Sequence, residues 1–241
     1  MVDCKPQDRR RDCAQWAGFG SMAVFVRKGC RDAVALRARA ARLADRPGNR
    51  TMNEVTASNG LVTRCLMRTE LPALWTIDRR ERVDEVYAVV DGQLTLRREF
   101  YDTRGWPEGE PESQAPLLLA CFDRGGIFRG VFDGGRLVAA SVLDSAPVAD
   151  WPSLRQMAFL HVSHDRRGLG LASMLYARCM EDVHSLGGSG LYISATSTRR
   201  TVDFYRAKGA RLAARPDRHL YGLEPDDIHL IRDLAAMPPR S

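Results

Sequence analysis

Small residues alternate with larger ones after a short basic stretch in the middle of the sequence. The run Arg167-Gly168-Leu169-Gly170-Leu171-Ala172 follows apolar residues 159–162 and precedes a segment with helical spacing. We therefore predict a strand, a turn of small residues and a helix. A helix start whose amides are not covered by side chains binds anions, and glycine lets a phosphate approach the main chain. This pattern predicts a pyrophosphate site.

Three kinds of phosphate loop have to be separated. A P-loop requires Gly-Lys followed by Ser or Thr, and the sequence contains neither combination. A dinucleotide fingerprint requires three glycines, and residues 168–173 contain only two. It also requires an acid at the end of a later strand, whereas Asp182 falls within the predicted helix. The third kind is an acyl-CoA loop of the form R-x-x-G-x-A, which residues 167–172 match.

A second segment strengthens the acyl-CoA interpretation. Residues 198–210 read TRRTVDFYRAKGA and contain a Phe-Tyr pair followed by Gly209. Residues 160–175 and residues 198–210 follow one another in an order and at a spacing that resemble the GCN5-related N-acetyltransferase (GNAT) superfamily. Two positions depart from the family pattern: Thr198 replaces a common Asn at the start of a helix, and Ala210 replaces a common Phe. Because Thr can still cap a helix, we expect altered pantetheine contacts and retained binding.

The resemblance implies an α+β fold with a mixed, mostly antiparallel central sheet of about six to seven strands. Helices flank this sheet, and its fourth and fifth strands splay apart. In this sequence the splay is expected between the strand that ends at Val162 and the strand that begins near Leu191.

The resemblance also implies the function. We expect an acetyl-CoA-dependent N-acetyltransferase that moves an acetyl group to a primary amine by direct attack in a ternary complex. Pantetheine would pair with the main chain of Leu160 and Val162, near Thr198. The pyrophosphate would lie on the amides of Arg167, Gly168, Leu169, Gly170, Leu171 and Ala172. The alternative is a non-catalytic acyl-CoA-binding regulatory module.

Two residues are candidates for proton transfer. Tyr205 stands where the family places its general acid, and a tyrosine is protonated at neutral pH; it could also simply be a packing aromatic. The strand 156–161 carries no acid, so His161 is the candidate base, although a packed strand histidine is the simpler interpretation. His161 and His164 are too few for a zinc site, and we expect no metal.

Acidic residues lie near both ends of the predicted domain. Recruitment of a cationic substrate could use Glu108, Glu110, Glu224, Asp226 or Asp227, although each is more simply a solvated acid. The loop 105–111 is either a solvated connector or a lid over a cationic substrate.

Charge separates the N-terminal segment from the rest. The first 51 residues hold 12 Lys and Arg, five Asp and no Glu, whereas the remainder is close to neutral. We predict a basic, disordered or loosely helical extension over residues 1–55 and the acetyltransferase domain over residues 56–241. The alternatives for the extension are a translation start assigned too far upstream of Met52, a targeting peptide or a nucleic-acid arm. A near-neutral domain makes nucleic acid an improbable partner.

Local patterns predict the remaining elements. Asp91-Gly92 and Asp133-Gly134-Gly135 each lie between alternating runs and predict two hairpins. Short closing strands are expected at 211–214 and 219–223. The six cysteines form no C-x-x-C and no apolar run spans a bilayer, so we expect a cytoplasmic protein with reduced thiols and no membrane association. The resemblance to the GNAT superfamily makes a homodimer one option.

Overall fold

The computed structural model describes residues 55–56 and 60–234. The extension predicted for residues 1–55 lies outside the described residues, apart from Val55, and so do Cys4, Cys13 and Cys30. The strands are β1 (Val55–Thr56), β2 (Val62–Cys65), β3 (Glu81–Val90), β4 (Gln93–Thr103), β5 (Ile127–Asp133), β6 (Arg136–Val148), β7 (Trp151–Val162), β8 (Gly190–Ala195), β9 (Arg211–Leu212) and β10 (Ile228–Asp233). The helices are α1 (Glu110–Asp123), α2 (Leu171–Ser185), α3 (Arg199–Ala207) and α4 (Arg218–Leu223), with 3-10 helices at Arg68–Thr76 and His164–Arg166.

Eight strands form the central sheet, in the order β1-β2-β5-β6-β7-β8-β10-β9. Neighbours are antiparallel except β7 and β8, which are parallel. The pairing of β7 with β8 covers only Leu154 to Gln156 against Gly190 to Tyr192, so the two strands diverge beyond that point. The mixed, splayed α+β sheet expected from the sequence is confirmed; two of its eight strands are only two residues long.

Helices cover both faces of the central strands. Residues 137–144 of β6 are all buried, which is typical of a strand that packs on both sides. One face carries α1 and the 3-10 helix Arg68–Thr76, packed on Phe128 and Val142. The other face carries α2 and α3, packed on Leu191 and Ile193. The diverging ends of β7 and β8 are therefore held between two packed layers.

Both predicted hairpins are present. The turn Asp91-Gly92 has positive φ at both residues, which matches a tight turn between β3 and β4. The turn Asp133–Gly135 joins β5 to β6. The first hairpin is not part of the central sheet and forms a separate two-stranded ribbon, a placement that its own pattern did not predict.

The C-terminal part differs from the prediction. The strand expected at 219–223 is wrong, because this segment forms α4. Asp217 caps that helix by accepting hydrogen bonds from the main-chain N–H groups of His219 and Leu220, both at 3.0 Å. The closing strand is instead β10, which begins at Ile228. The loop predicted at 105–111 is also too long, since α1 already begins at Glu110.

Among the described residues, no helix has the length and apolarity needed to cross a membrane. The three described cysteines, Cys65, Cys121 and Cys179, form no disulfide. Cys121 and Cys179 are buried in the core, as expected of thiols that act as core fillers.

Candidate active site

A cleft of about 940 Å³ opens where β7 and β8 diverge. It brings together residues that are far apart in the sequence. Those predicted for the site that line it are Leu160, His161, Val162, Arg167, Gly168, Gly170, Leu171, Ala172, Thr198 and Tyr205. Leu169 is exposed and does not contribute to the lining. One cavity thus contains nearly the whole predicted site.

The start of α2 forms one end of the cleft. Gly168 and Gly170 have φ of +82° and +77°, in the left-handed region that favours glycine, and a Cβ on either would meet open space. Gly170 occupies the N-cap position and supplies no side-chain cap, and the first turn contains no acid. The first intrahelical bond runs from Met174 N–H to the Gly170 carbonyl at 3.0 Å. Arg167 N–H donates to the His164 carbonyl at 3.4 Å, whereas the N–H groups of residues 168–173 have no partner among the described residues and can bind an anion.

Two arginines near this helix start differ in their partners. The Arg167 guanidinium donates to the carbonyls of Val162 and Arg79 and to the carboxylate of Glu81, each at 3.3 Å, and burial lowers its pKa. Arg200 is exposed, lines the same cleft, and its guanidinium pairs with no other described residue. Arg200 is therefore the freer cation for a phosphate, and the sequence motif did not indicate it.

Thr198 caps α3 as predicted. Its Oγ1 accepts a hydrogen bond from Thr201 N–H at 3.3 Å, and its side chain is buried beside the cleft. The same turn also holds the β3–β4 ribbon, because Tyr87 N–H donates to the Ser197 carbonyl at 2.7 Å. The Tyr87 hydroxyl donates to Asp203 at 2.8 Å.

The other side of the cleft is tied to the same ribbon. The Asp78 carbonyl accepts a hydrogen bond at 2.8 Å from the N–H of His164, a residue just after the end of β7. Asp78 N–H donates to the Ser163 hydroxyl at 3.1 Å. The segment 78–87, which we call the bridging segment, therefore connects the end of β7 to the turn after β8 across the divergence.

Tyr205 lies deep in the cleft wall, with 6% of its surface exposed. Its hydroxyl has no hydrogen-bond partner among the described residues, and its ring packs against Phe204 and Tyr176. Burial, reinforced by neighbouring Tyr176, Cys179 and Asp227, raises the pKa of the hydroxyl above its ordinary value. Tyr205 is therefore protonated at neutral pH and can donate a proton into the cleft.

His161 packs into an aromatic part of the cleft. Its ring meets Phe159 and Trp106 edge-on, with centroids 4.6 and 4.9 Å away. Burial, together with the positive charges of Arg79 and Arg167, lowers the pKa of the imidazole to about 3. An imidazole with so low a pKa is a weak base for an ammonium group.

Three acidic residues, Glu224, Asp226 and Asp227, also line the cleft, and we call them the acidic end. Burial, with the charges of Glu224 and Asp226, raises the pKa of Asp227 to about 8. Glu110 also lines the cleft but is paired with Arg79 at 2.9 Å, whereas Glu108 is not part of the lining. The sequence placed these acids only as surface candidates, because their position depends on the pairing of β10 with β8.

Comparison with known proteins agrees with this geometry. The model of the acetyltransferase (GNAT) family matches residues 94–210. No curated protein matches the sequence significantly. Among solved structures, a nourseothricin acetyltransferase is similar at 17% identity and a TM-score of 0.53, covering 72% of this chain and 98% of that one. A putative streptothricin acetyltransferase from Bacillus anthracis str. Ames, in complex with acetyl coenzyme A, has 16% identity and a TM-score of 0.53, covering 71% and 95%.

At these identities the two structures establish the fold. The family match covers the ribbon strand β4, the diverging strands, the loop before α2 and helix α3. Residues 94–210, which include most of the cleft lining, match the GNAT family of acetyltransferases.

Proposed function

We propose that this protein is an acetyl-CoA-dependent N-acetyltransferase that transfers the acetyl group to a primary amine in a ternary complex. The observation that carries the proposal is the uncovered start of α2, which opens into the divergence between β7 and β8 in a GNAT fold. The solved neighbour with bound acetyl coenzyme A supports the same donor.

The residues present fit such a donor. Glycines 168 and 170 leave open space above the main chain, so a pyrophosphate can reach the amides of residues 168–172; the Arg167 N–H is bonded to the His164 carbonyl. Beyond Gln156, the edge of β7 that faces β8 is unpaired, and Leu160 and Val162 on this stretch line the cleft. Their main chain would hold pantetheine as an added strand, next to Thr198. Acetyl-CoA bound there would supply an activated acyl carbonyl and a thiolate leaving group.

Tyr205 is the proposed general acid. Its protonated hydroxyl lines the same cleft and has no competing partner among the described residues. It would give its proton to the departing sulfur. His161, the base expected from the sequence, is better suited to shaping the aromatic wall, since its pKa of about 3 leaves it weakly basic.

The donor site can be tested with two matched glycines. Gly170 and Gly109 are both helix N-caps with similar left-handed φ, +77° and +79°, and both face open space, but only Gly170 lines the cleft. Gly170→Glu should abolish acetyl-CoA binding measured by calorimetry, because it places a negative charge at the phosphate. Gly109→Glu carries the same backbone strain and should bind normally. Equal affinities in the two variants would refute the site.

The unbridged state of Cys65, Cys121 and Cys179 supports a reducing, cytoplasmic location as part of this proposal. A regulatory acyl-CoA-binding module would use the same loop. It would bind acetyl-CoA but would transfer no acetyl group to any amine.

A further inference from the structure

The acidic end of the cleft carries negative charge that no described basic side chain compensates. Other acids of its lining are paired, Glu81 with Arg167 and Glu110 with Arg79. Glu224, Asp226 and Asp227 form no ion pair with any described basic residue. Glu224 and Asp226 are exposed, and Asp227 is half-buried. A ligand in the cleft therefore meets three acids without a described basic partner within four residues of chain, and Asp227 among them shares a side-chain hydrogen bond with Glu224.

The sheet places this acidic end beside the proposed reaction centre. Ile228 pairs with Ala195, the last residue of β8, so Asp227 lies next to the point where β8 ends. Tyr205 is close enough for the charge of Asp227 to affect it. The Tyr205 side chain is more than nine-tenths buried, lines the cavity and has no hydrogen-bond partner among the described residues. A buried side chain that faces a cavity, with a hydroxyl that no described residue occupies, is available to a ligand group.

An apolar surface completes the cavity. Trp75, Trp106 and Phe159 line the cleft and pack on one another, with centroids 4.9 to 6.2 Å apart. Such a wall accommodates the methylene groups of an aliphatic chain. The lining therefore combines apolar contact with anionic contact, as an extended organic polyamine requires.

We propose that the acceptor is an amine with at least two positive charges: Asp227 receives the reacting ammonium and takes its proton, while Glu224 and Asp226 bind a second cationic group. This inference rests on the proposed N-acetyltransferase function and assigns its acceptor class. The basic end, with Arg200 and the α2 amides, would hold the anionic donor. The acidic end would hold the cationic acceptor.

The proton balance is complete. One N–H bond of the ammonium breaks and its proton passes to the Asp227 carboxylate, which frees the nitrogen lone pair. A C–N bond to the acetyl carbon forms, the C–S bond breaks, and Tyr205 gives its proton to sulfur. The nitrogen releases a second proton, which restores Tyr205, and Asp227 returns its own proton to solvent. The sum is an amide, a free thiol and one proton.

The surroundings of Asp227 suit this role. Burial and the like charges of Glu224 and Asp226 raise its pKa to about 8, against a smaller opposing effect of Arg79. A base is most effective when its pKa lies near the working pH. Tyr205, near enough for the charge of Asp227 to raise its pKa, stays neutral and adds no competing charge.

Binding of simple amines to the CoA-loaded, full-length protein tests the acceptor class without requiring turnover. The probes are straight-chain α,ω-diamines of three to eight carbons and monoamines of equal length, measured by calorimetry. Two exposed ion pairs correspond to a preference for the best diamine of about fivefold to thirtyfold. Glu224→Gln combined with Asp226→Asn should reduce that preference to less than about threefold, by loss of these pairs. Glu112 is exposed and lies outside the cleft, so Glu112→Gln is the control and should keep the wild-type preference for diamines.

The outcomes separate the two proposals. Equal affinity for diamines and monoamines in the wild type, or a preference that survives the double substitution in a folded protein, overturns the acceptor class. Selective diamine binding without acetylation supports the acceptor class and refutes the transfer function. Asp227→Asn should lower kcat by about 100-fold, the scale of general-base catalysis, for every accepted amine. Its acetyl-CoA affinity should be unchanged, and an unchanged kcat would remove Asp227 as the base.

Discussion

Tyr205 and Asp227 lie on the same cleft, where burial raises the pKa of the Tyr205 hydroxyl and the nearby Asp227 carboxylate raises it further. The two groups come from α3 and from the residue before β10, and the sheet brings them together where β7 and β8 diverge. Tyr205 keeps its proton at neutral pH, and Asp227, with a pKa of about 8, can exchange its own. This is the division between acid and base that acetyl transfer requires.

Tyr205→Phe should lower kcat by about 100-fold or more, within the range for loss of a general acid. Acetyl-CoA affinity and thermal stability should change little, because the hydroxyl has no partner among the described residues. Tyr176→Phe is the control: its hydroxyl is also buried and unpaired, but it does not line the cleft. Steady-state kinetics on both variants measures the difference. Equal kcat values in the two variants would remove the acid role of Tyr205.

Asp227 should also make stability depend on pH. Its pKa in the folded protein is about 8 against an ordinary value of 3.8, so the folded protein keeps a proton that the unfolded chain releases between these values. The free energy of unfolding should therefore gain a contribution that falls as pH rises from about 4 to about 8. Urea unfolding at several pH values, compared between wild type and Asp227→Asn, isolates this contribution. Parallel pH profiles would show that the Asp227 pKa is not raised.

Arg200 should contribute to donor affinity by its charge alone. Its exposed guanidinium is free of other described partners, so Arg200→Gln should weaken acetyl-CoA binding by about threefold to fivefold at low salt, as for an exposed ion pair. The effect should shrink at about 0.5 M salt because of screening. Arg215 is also exposed but lies outside the cleft lining, and Arg215→Gln should leave the affinity unchanged. An affinity that does not respond to Arg200→Gln at any salt concentration would exclude this contact.

The bridging segment 78–87 should be loosened by Tyr87→Phe. This change removes the hydrogen bond from the Tyr87 hydroxyl to Asp203 and costs about 1 kcal/mol of stability. Amide hydrogen exchange in β3 should accelerate, and the KM for acetyl-CoA should rise, since the segment spans the divergence. Tyr221→Phe, at an exposed ring outside the cleft lining, is the control. Unchanged exchange in β3 would mean that the remaining contacts of the ribbon, which include the Tyr87–Ser197 main-chain bond and the Glu85–Arg199 ion pair, hold it without the Tyr87 hydroxyl.

The parts of the site that the sequence predicted are those encoded locally. The turn at Gly168 and Gly170 requires left-handed backbone, which glycine supplies, and it appeared where the pattern placed it. The Thr198 cap and both hairpin turns depend on residues that are adjacent in the sequence. Local chemistry of this kind can be recognised without a fold.

The parts that escaped prediction depend on tertiary placement. The sequence offered Asp227 as one of five candidates for recruiting a cation, but its place near Tyr205 depends on the pairing of Ile228 with Ala195 across the sheet. The helix α4 replaced a predicted strand because the Asp217 carboxylate caps it, a contact that outweighs the apolar alternation of 219–223. The bridging segment was recognised as part of a hairpin, but its attachment to Ser163 and Ser197 joins elements about 80 to 110 residues apart in sequence.

The most direct measurement of the central claim is amine-dependent release of free CoA thiol by the full-length protein, with mass analysis of the amine. The account predicts thiol release in equal amount to an acetylated amine. This release should be absent without an amine and absent in Gly170→Glu. Saturable binding of acetyl-CoA, with no amine-dependent thiol release across a panel of monoamines, diamines and peptide amines, would contradict the account.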